Sequence, residues 1–532
     1  MTGLSVLWAA PEVNPITRKA RSIPVFNVVD MHGRVFFFSW IGFFVAFWSW
    51  YAFPPLLHDT IQKDLNLTKV DVANSNIIAL AATLLVRLIA GPCCDRFGPR
   101  WTFAGTLLIG AIPTFLAGTC YTRAQLFACR FFVGILGGSF VPCQVWSTGF
   151  FDKNIVGTAN ALIGGWGNAG GGVTYFLMPT IFNSLVESQG YSAHVAWRIT
   201  FIIPGVIITA TALGLFFLCE DTPTGKWADR HILAERNLHA HGVHATIVDA
   251  PSGTINEKTS YDVAASAAAS AAPASSSNSS DKLAFEATDE TKPQLFGDHE
   301  AHVSVQQMLD TARGEIVLQP TPMQMLRVIA TPQVLMLALT YLFSFGGELA
   351  INSILGTYYQ TQFKQLSQTT SGQWAAMFGL LNIVTRPLGG VIADIIYNYI
   401  PPTNPNTRLW AKKLWVHFLG IVAGAFLIAI GVLNPTHPAT MFGLIGGFAF
   451  FLEGGNGANF ALVPHVSPSA NGVVSGLTGA VGNLGGIIFA IVFRYHGTSY
   501  HTSMLIIGII GLAINVVLLP IPPVAKSQIG GR

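Results

Sequence analysis

Long apolar segments dominate the 532-residue sequence and restrict what it can fold into. We count twelve runs of roughly 20 residues, the length that crosses the hydrocarbon core of a bilayer as a helix. Hydrophobic residues make up 51% of the chain and charged residues only 10%, whereas a soluble domain is about one quarter charged. These features predict an all-α membrane protein. The runs lie near 35–57, 73–92, 101–120, 124–147, 156–182, 198–219, 331–357, 373–396, 411–433, 439–464, 470–494 and 502–520.

Basic residues predict the orientation of the chain in the membrane. Loops rich in Lys and Arg usually lie in the cytoplasm, and the basic residues of this chain concentrate in the N-terminal tail and in alternate loops, although several others must lie outside. The polar tail has no small-residue cleavage pattern, so we expect no removable signal peptide. Both termini are therefore predicted to be cytoplasmic. The residues that set this orientation are Arg18, Lys19, Arg21, Arg34, Arg96, Arg100, Lys153, Arg408, Lys412 and Lys413.

A polar segment separates the runs into two sets of six. The stretch "DVAASAAASAAPASSSNSSDKLAFEATDETKPQ" has few large apolar residues to bury, so it predicts a disordered cytoplasmic loop. The predicted order is an N-terminal tail, a six-helix bundle, this central loop, a second six-helix bundle and a C-terminal tail. Their bounds are 1–34, 35–219, 220–330, 331–520 and 521–532.

Two patterns recur in the two halves of the chain. The pattern R-x-x-x-G-x-x-x-D occurs in "RLIAGPCCD" and again, 299 residues later, in "RPLGGVIAD". The segment "GNAGG" in the fifth run corresponds to "GNLGG" in the eleventh, with an offset of 315 residues. Such repeats are typical of transporters whose substrate site lies between the halves near the middle of the membrane. Single glycines carry less weight, since most glycines of membrane helices serve close packing.

Arg87 and Arg386 begin the two copies of the first pattern, and each lies in an apolar run. Arg87 precedes Asp95 by eight residues, which is about 12 Å along a helix and roughly mid-depth. An arginine at the centre of a membrane helix costs about 2.5 to 3.5 kcal/mol and is tolerated mainly beside a cavity or a partner. We expect the two guanidinium groups to face each other with an anion between them. The alternatives for each arginine are an internal salt bridge and a position near the helix end, from which the side chain extends to the membrane surface.

The segment "GPCCDRFGPR" resembles the loop between helices 2 and 3 of the major facilitator superfamily. The family pattern G-x-x-x-D-R-x-G-x-R is complete here. The resemblance implies that Asp95, Arg96 and Arg100 form a cytoplasmic latch between the halves. It also implies the major facilitator fold, with twelve transmembrane helices in two pseudo-symmetric six-helix bundles that rock about a central site.

The stretches "GWGNAGGGVTYFLMP" and "GAVGNLGGIIFAIVFRY" resemble the two signature helices of the nitrate/nitrite porter family. Fungal high-affinity nitrate transporters are the most similar members, with "ANSNIIAL", "GFFDK", "DTPTGKW" and "GANFALVPHV" also in common. The resemblance implies that the two arginines clamp nitrate, that the signature asparagines line its path and that an aromatic pair of the seventh run covers the site. The corresponding residues are Arg87, Arg386, Asn168, Asn483, Tyr341 and Phe345. Packing within the helices is the alternative for the asparagines and the aromatic residues.

Nitrate matches this set of side chains chemically, because it is a small flat anion with three acceptor oxygens and a guanidinium is a flat, permanent cation with forked donors. An inside-negative potential opposes its uptake by about 2.3 kcal/mol per 100 mV. The resemblance therefore implies uptake of nitrate, and of nitrite, with protons as the coupled ion. Glu348 and Glu453 are the acidic residues deep in the spans and are candidates for carrying the proton; a structural pairing suits either equally well.

Three other functions remain open: nitrate/nitrite exchange without protons, transport of a sugar or other organic solute, and nitrate sensing without transport. We expect no enzyme activity, since no nucleophile, base and orienting group occur together, and no cofactor or metal. The six cysteines predict no disulfide framework, and the net charge of +3 is too small to indicate nucleic acid as a partner. We expect the protein to work as a monomer in the plasma membrane, in contact with membrane lipid.

Overall fold

Twelve long helical segments make up most of the computed structural model, which describes residues 4–241, 297, 299–303, 308, 311, 322–366, 368–401, 405–497 and 499–524. Six lie on either side of the central segment. The described residues form isolated β-bridges but no strands. The helices are α1 Met31–Trp50, α2 Lys69–Phe97, α3 Pro99–Leu116, α4 Arg123–Phe150, α5 Val156–Asn183, α6 Ala193–Leu218, α7 Pro332–Gln362, α8 Gln368–Leu381 with Thr385–Tyr399, α9 Pro405–Leu433, α10 Pro438–Val466, α11 Asn471–His496 and α12 Tyr500–Val517.

Local sequence explains where the first helices begin. Asp30 caps α1, its carboxylate accepting from the backbone N–H groups of His32 and Gly33. Thr68 and Asp71 form a capping box at the start of α2. Both arrangements satisfy amide groups that the first turn of a helix leaves without partners.

The helices are long and apolar enough to form a membrane domain, which confirms the predicted all-α membrane fold. Ten of the helices in the described part of the chain could cross a bilayer by length and composition. The remaining long helices, α5 and α10, carry many glycines and asparagines. Large apolar side chains point outward as lipid-facing residues do, with Ile89 63% and Phe217 72% exposed.

The two halves pack against each other through α2 with α11 and through α5 with α8. Glycines permit the close approach at both contacts. A Cβ at Gly91 would collide with the backbone of Gly472, and a Cβ at Gly390 would collide with that of Gly157. Each helix that carries the first repeated pattern therefore packs against the helix of the other half that carries the second: α2 against α11, and α8 against α5.

The N-terminal segment lies against the loop between α4 and α5. The backbone N–H of Ala20 donates to the carbonyl of Phe150, and the N–H of Asp152 donates to the carbonyl of Ala20, both at 2.9 Å. Two short helices, Arg230–Ala240 and Pro322–Ile329, flank the central segment. Both helices lie within the central loop, predicted at 220–330 and expected to be largely disordered; its residues 242–296 and most of 298–321 lie outside the described residues, as do 525–532 of the C-terminal tail.

Candidate functional site

Arg87 of α2 and Arg386 of α8 are both buried in the middle of the bundle. The Nε of Arg87 donates to the carbonyl of Gly137 at 2.9 Å, and its Nη1 donates to the carbonyl of Gly479 at 3.0 Å. The Nη2 of Arg386 donates to the hydroxyl of Tyr341 at 3.1 Å. These bonds fix the planes of both guanidinium groups and leave other nitrogens unused.

Three guanidinium nitrogens remain buried without an acceptor among the described residues: Nη2 of Arg87 and Nε and Nη1 of Arg386. The described carboxylates form no ion pair with either arginine. A buried donor without a partner costs about 1 to 3 kcal/mol, and more when it is charged. Such a cost is offset when an anion accepts from these groups, so the arrangement is suited to binding one.

A single aromatic ring, that of Phe140 in α4, lies beside both cations. The Cζ of Arg87 is 4.9 Å and the Cζ of Arg386 is 5.3 Å from its centroid. Phe345 lies 5.0 Å from the Cζ of Arg87 and stacks on Tyr341 with centroids 5.1 Å apart and planes 8° from parallel. The aromatic pair predicted from the seventh run thus lies beside the arginines, together with a third ring.

Glycines of the signature helices make room for the arginines. A Cβ at Gly164 of α5 would lie 2.8 Å from Nε of Arg386, and a Cβ at Gly479 of α11 would lie 3.1 Å from Cδ of Arg87. Gly164 and Gly479 are separated by the same offset of 315 residues as the "GNAGG" and "GNLGG" segments of these helices. Each half therefore supplies an arginine and a glycine that accommodates the arginine of the other half.

The two signature asparagines lie in different surroundings. The Nδ2 of Asn483 donates to the carbonyl of Gly479 at 3.0 Å, which is one turn back in the same helix. The Nδ2 of Asn168 donates to Oε1 of Glu348 in α7. Gly479 also accepts from Arg87, so Asn483 contacts the site through a shared carbonyl.

Glu348 and Glu453, the two predicted proton-carrier candidates, are both buried in the C-terminal half. Besides Asn168, Glu348 accepts from Nδ2 of Asn382 at 2.9 Å and, through Oε2, from Nδ2 of Asn456 at 2.6 Å. Glu453 accepts from the hydroxyl of Thr385 at 2.5 Å, and its second oxygen has no partner among the described residues.

The end of the bundle that carries Asp95 and Asp394, which we call the latch end, is closed by two related contacts. The carboxylate of Asp95 accepts from the backbone N–H groups of Gly472 and Val473 at the start of α11, both at 2.9 Å. In the same way, Oδ2 of Asp394 accepts from the N–H and the hydroxyl of Thr158 at the start of α5, at 2.5 and 2.9 Å. A carboxylate at a helix N-terminus is stabilised by the helix dipole.

The other two predicted latch residues make their contacts within the N-terminal half. Nε of Arg100 pairs with Oδ1 of Asp221 at 2.6 Å, which connects α3 to the segment after α6. Arg96 is exposed and lies over the ring of Phe97. Of these three residues, the contact between the halves is therefore made by Asp95.

Several side chains of the site carry no clear signal in the sequence. Phe140, Asn382 and Asn456 are single aromatic or amide residues within long apolar segments, and their importance follows only from which helices meet. The family-like segment "GANF" begins directly after Asn456 and does not include it. The described residues contain no cluster of His, Cys, Asp and Glu that could hold a metal.

Comparison with known proteins gives the family of the chain. The Major Facilitator Superfamily model matches residues 39–490. Elsinochrome transporter 1 of Elsinoe fawcettii is 36% identical over 99% of this chain and 100% of its own length. Nitrate transporter 2.1 of Chlamydomonas reinhardtii is 31% identical over 92% of this chain and 74% of its own length. High-affinity nitrate transporter 2.3 of Oryza sativa subsp. japonica is 29% identical over 96% and 81%.

The match covers both halves of the fold, including the two signature helices and the helices of the arginines. We conclude that the chain is a multi-pass membrane transporter, not an enzyme, and that it belongs to the nitrate/nitrite porter family of the major facilitator superfamily.

Proposed function

We propose that the protein takes up nitrate, and also nitrite, by binding the anion between Arg87 and Arg386. The observation that supports this most strongly is the set of three buried guanidinium nitrogens without protein acceptors, on side chains from both halves. Their forked N–H groups suit the oxygens of a small planar anion. The aromatic rings beside them exclude water and restrict the space to a flat ion. Tyr341 and Phe345 supply two of these rings, and Asn168 and Asn483 line the edge of the site.

Transport would follow from rocking of the two halves about this site. Asp95 and Asp394 hold the latch end closed by accepting from backbone groups of the opposite half. Breaking these contacts opens a path from the site to that side, which we propose is the cytoplasm. Arg100 supports this latch by fixing α3 to the segment after α6, and Arg96 remains accessible at its surface. Both termini are cytoplasmic in this proposal.

We further propose that protons drive uptake across the plasma membrane, by a single copy of the chain. A membrane potential opposes the inward movement of an anion by about 2.3 kcal/mol per 100 mV, so more than one proton per nitrate is needed for the potential to favour uptake. Glu348 and Glu453 are the candidate carriers, since both carboxyl groups are buried near Arg386.

Reconstitution of the purified full-length protein in liposomes tests the proposed function. Nitrate should accumulate when the external medium is more acidic than the lumen, and nitrite should compete with it. Exchange of external for internal nitrate, with no net accumulation under any proton gradient, would instead identify an exchanger. Nitrate binding without exchange or uptake would identify a receptor, and no nitrate binding would refute the proposal.

A second candidate is transport of an organic compound, and the Elsinoe fawcettii relative is named as an elsinochrome transporter. Its support is the identity of 36% along the full length of both chains. Two buried arginines and a wall of aromatic rings favour a small anion over a large neutral solute. Competition decides between them: an organic solute that displaces labelled nitrate while nitrite does not would favour this second function.

A further inference from the structure

The carboxylate of Glu348 connects the two halves of the protein close to the proposed anion site. Its side chain is buried, and amide groups of three asparagines converge on its two oxygens. The described residues place three N–H donors and no acceptor around this carboxyl group, which matches the ionised form, because that form accepts hydrogen bonds on both oxygens and donates none. The three amide groups therefore form surroundings that suit an ionised Glu348.

Asn168 differs from the other two donors in its position. It belongs to α5 in the N-terminal half, whereas Asn382 and Asn456 belong to the same half as Glu348. The bond from Asn168 to Glu348 therefore crosses the interface along which the halves must move. A bond to an ionised acceptor is roughly twice as strong as one between neutral groups, so protonation of Glu348 weakens this connection.

The charged and titratable groups that face Glu348 are Tyr51 directly after α1, Tyr341 of α7, Arg386 of α8 and Glu453 of α10. Arg386 is the cation among them, and it is also half of the proposed anion clamp. An ionised Glu348 offsets part of the positive charge available to an anion. A protonated Glu348 leaves the charge of both arginines to the anion.

We propose that a proton on Glu348 and an anion between Arg87 and Arg386 bind cooperatively, with Arg386 and Asn168 as the groups they share. This inference rests on the proposed function and specifies how its two substrates are coupled. A proton from the outer solution binds the carboxylate, weakens its bond with the Asn168 amide and strengthens the binding of nitrate by the arginines. Once nitrate has left on the inner side, Arg386 favours the ionised carboxylate again and the proton leaves on that side.

Glu453 is less suited to this role. The hydroxyl that it accepts from belongs to Thr385 of the same half, and neither signature asparagine donates to it. Its protonation would leave the contact between the halves intact. The two buried glutamates therefore form a matched pair for a test.

The test compares Glu348→Gln with Glu453→Gln and Glu348→Asp in liposomes. Glutamine has the shape of glutamate without its charge, so Glu348→Gln should bind and exchange nitrate with an apparent affinity that does not change with pH. It should not accumulate nitrate in response to a proton gradient. In the parent, by linkage, apparent affinity should fall by up to about tenfold for each pH unit once the carboxyl group ionises. Glu453→Gln and Glu348→Asp should keep this pH dependence.

The inference would be overturned by accumulation driven by a proton gradient in Glu348→Gln, or by loss of the pH dependence in Glu453→Gln alone. Loss of nitrate exchange together with accumulation in Glu348→Gln would also contradict it, because the residue would then be needed for binding itself. These outcomes differ from a failure of the proposed function, in which the parent protein would not transport nitrate at any pH.

Discussion

The guanidinium of Arg386 donates a hydrogen bond of 3.1 Å to the hydroxyl of Tyr341, and both side chains are buried. This bond fixes one arginine of the proposed clamp while its Nε and Nη1 have no acceptor among the described residues. The tyrosine hydroxyl thus orients a cation whose remaining donors are free for substrate.

Replacing Tyr341 by phenylalanine should weaken nitrate binding without disturbing the aromatic stack. A hydrogen bond to a charged group contributes about 1.5 to 3 kcal/mol, so the KM for nitrate should rise about tenfold or more. Tyr359→Phe is the matched control in the same helix, because the buried Tyr359 hydroxyl has no partner among the described residues. Equal KM values for the two variants would show that the hydroxyl of Tyr341 does not orient the clamp.

Adding a methyl group at Gly164 should displace Arg386 while leaving its charge in place. The new Cβ would lie 2.8 Å from Nε, so the guanidinium must move, and small displacements at a preorganised site cost about a hundredfold in rate. We expect Gly164→Ala to lose most nitrate uptake at normal levels in the membrane. Gly105→Ala, where nothing lies within 4 Å of the added Cβ, should resemble the parent. Full uptake by Gly164→Ala would mean that the position of Arg386 is not critical.

Neutralising the latch carboxylate should affect turnover more than binding. Asp95→Asn keeps an acceptor oxygen but loses the charge that interacts with the start of α11, a contribution of about 1 to 2 kcal/mol. Initial rates in liposomes should show turnover reduced about tenfold with little change in KM. The exposed Asp229 of the same end supplies the control Asp229→Asn. A raised KM with normal turnover would place Asp95 at the substrate instead.

An ion-pair cluster at the opposite end of the bundle predicts a pH dependence of stability. Although burial raises the pKa of Asp64, hydrogen bonds from His194, Trp197 and Arg198 outweigh burial and hold this pKa below its ordinary value. A carboxylate with a lowered pKa stabilises the fold above its ordinary pKa of about 4 and loses this contribution as the pH falls through the lower, folded value.

Asp64→Asn should therefore melt below the parent at neutral pH, by about 2 °C or less. The two proteins should converge as the medium is acidified below the folded pKa of Asp64. Scanning calorimetry in detergent measures the melting temperatures of both proteins at each pH, and Glu187→Gln, at an exposed position, serves as the control. A difference that does not change with pH would assign the stabilisation to something other than the charge of Asp64.

The helices and the arginines could be predicted from sequence because their signals are local or repeated. Apolar runs mark α1 to α12, and the repeated pattern places Arg87 and Arg386 at matched depths. The surroundings of Glu348 could not be predicted in this way. Its amide partners Asn168, Asn382 and Asn456 come from three other segments of the chain, and only the packing of the two halves brings them to one carboxylate.

The contacts of single residues in the latch also depend on tertiary structure. The family pattern marks Asp95, Arg96 and Arg100 alike, yet the contact between the halves is made by Asp95, while Arg100 pairs with Asp221. The partner of Asp95 is a helix N-terminus. Backbone groups carry no residue signature, so a sequence pattern cannot identify them.

Nitrate uptake by Arg87→Lys and Arg386→Lys in liposomes tests the central claim most directly. Lysine keeps the charge but replaces the planar fork by a hydrated point charge. Each variant should therefore raise the KM for nitrate by about tenfold or more, whereas Arg494→Lys, at an exposed position of α11, should not. Parent-like uptake by both variants would contradict the two-arginine clamp.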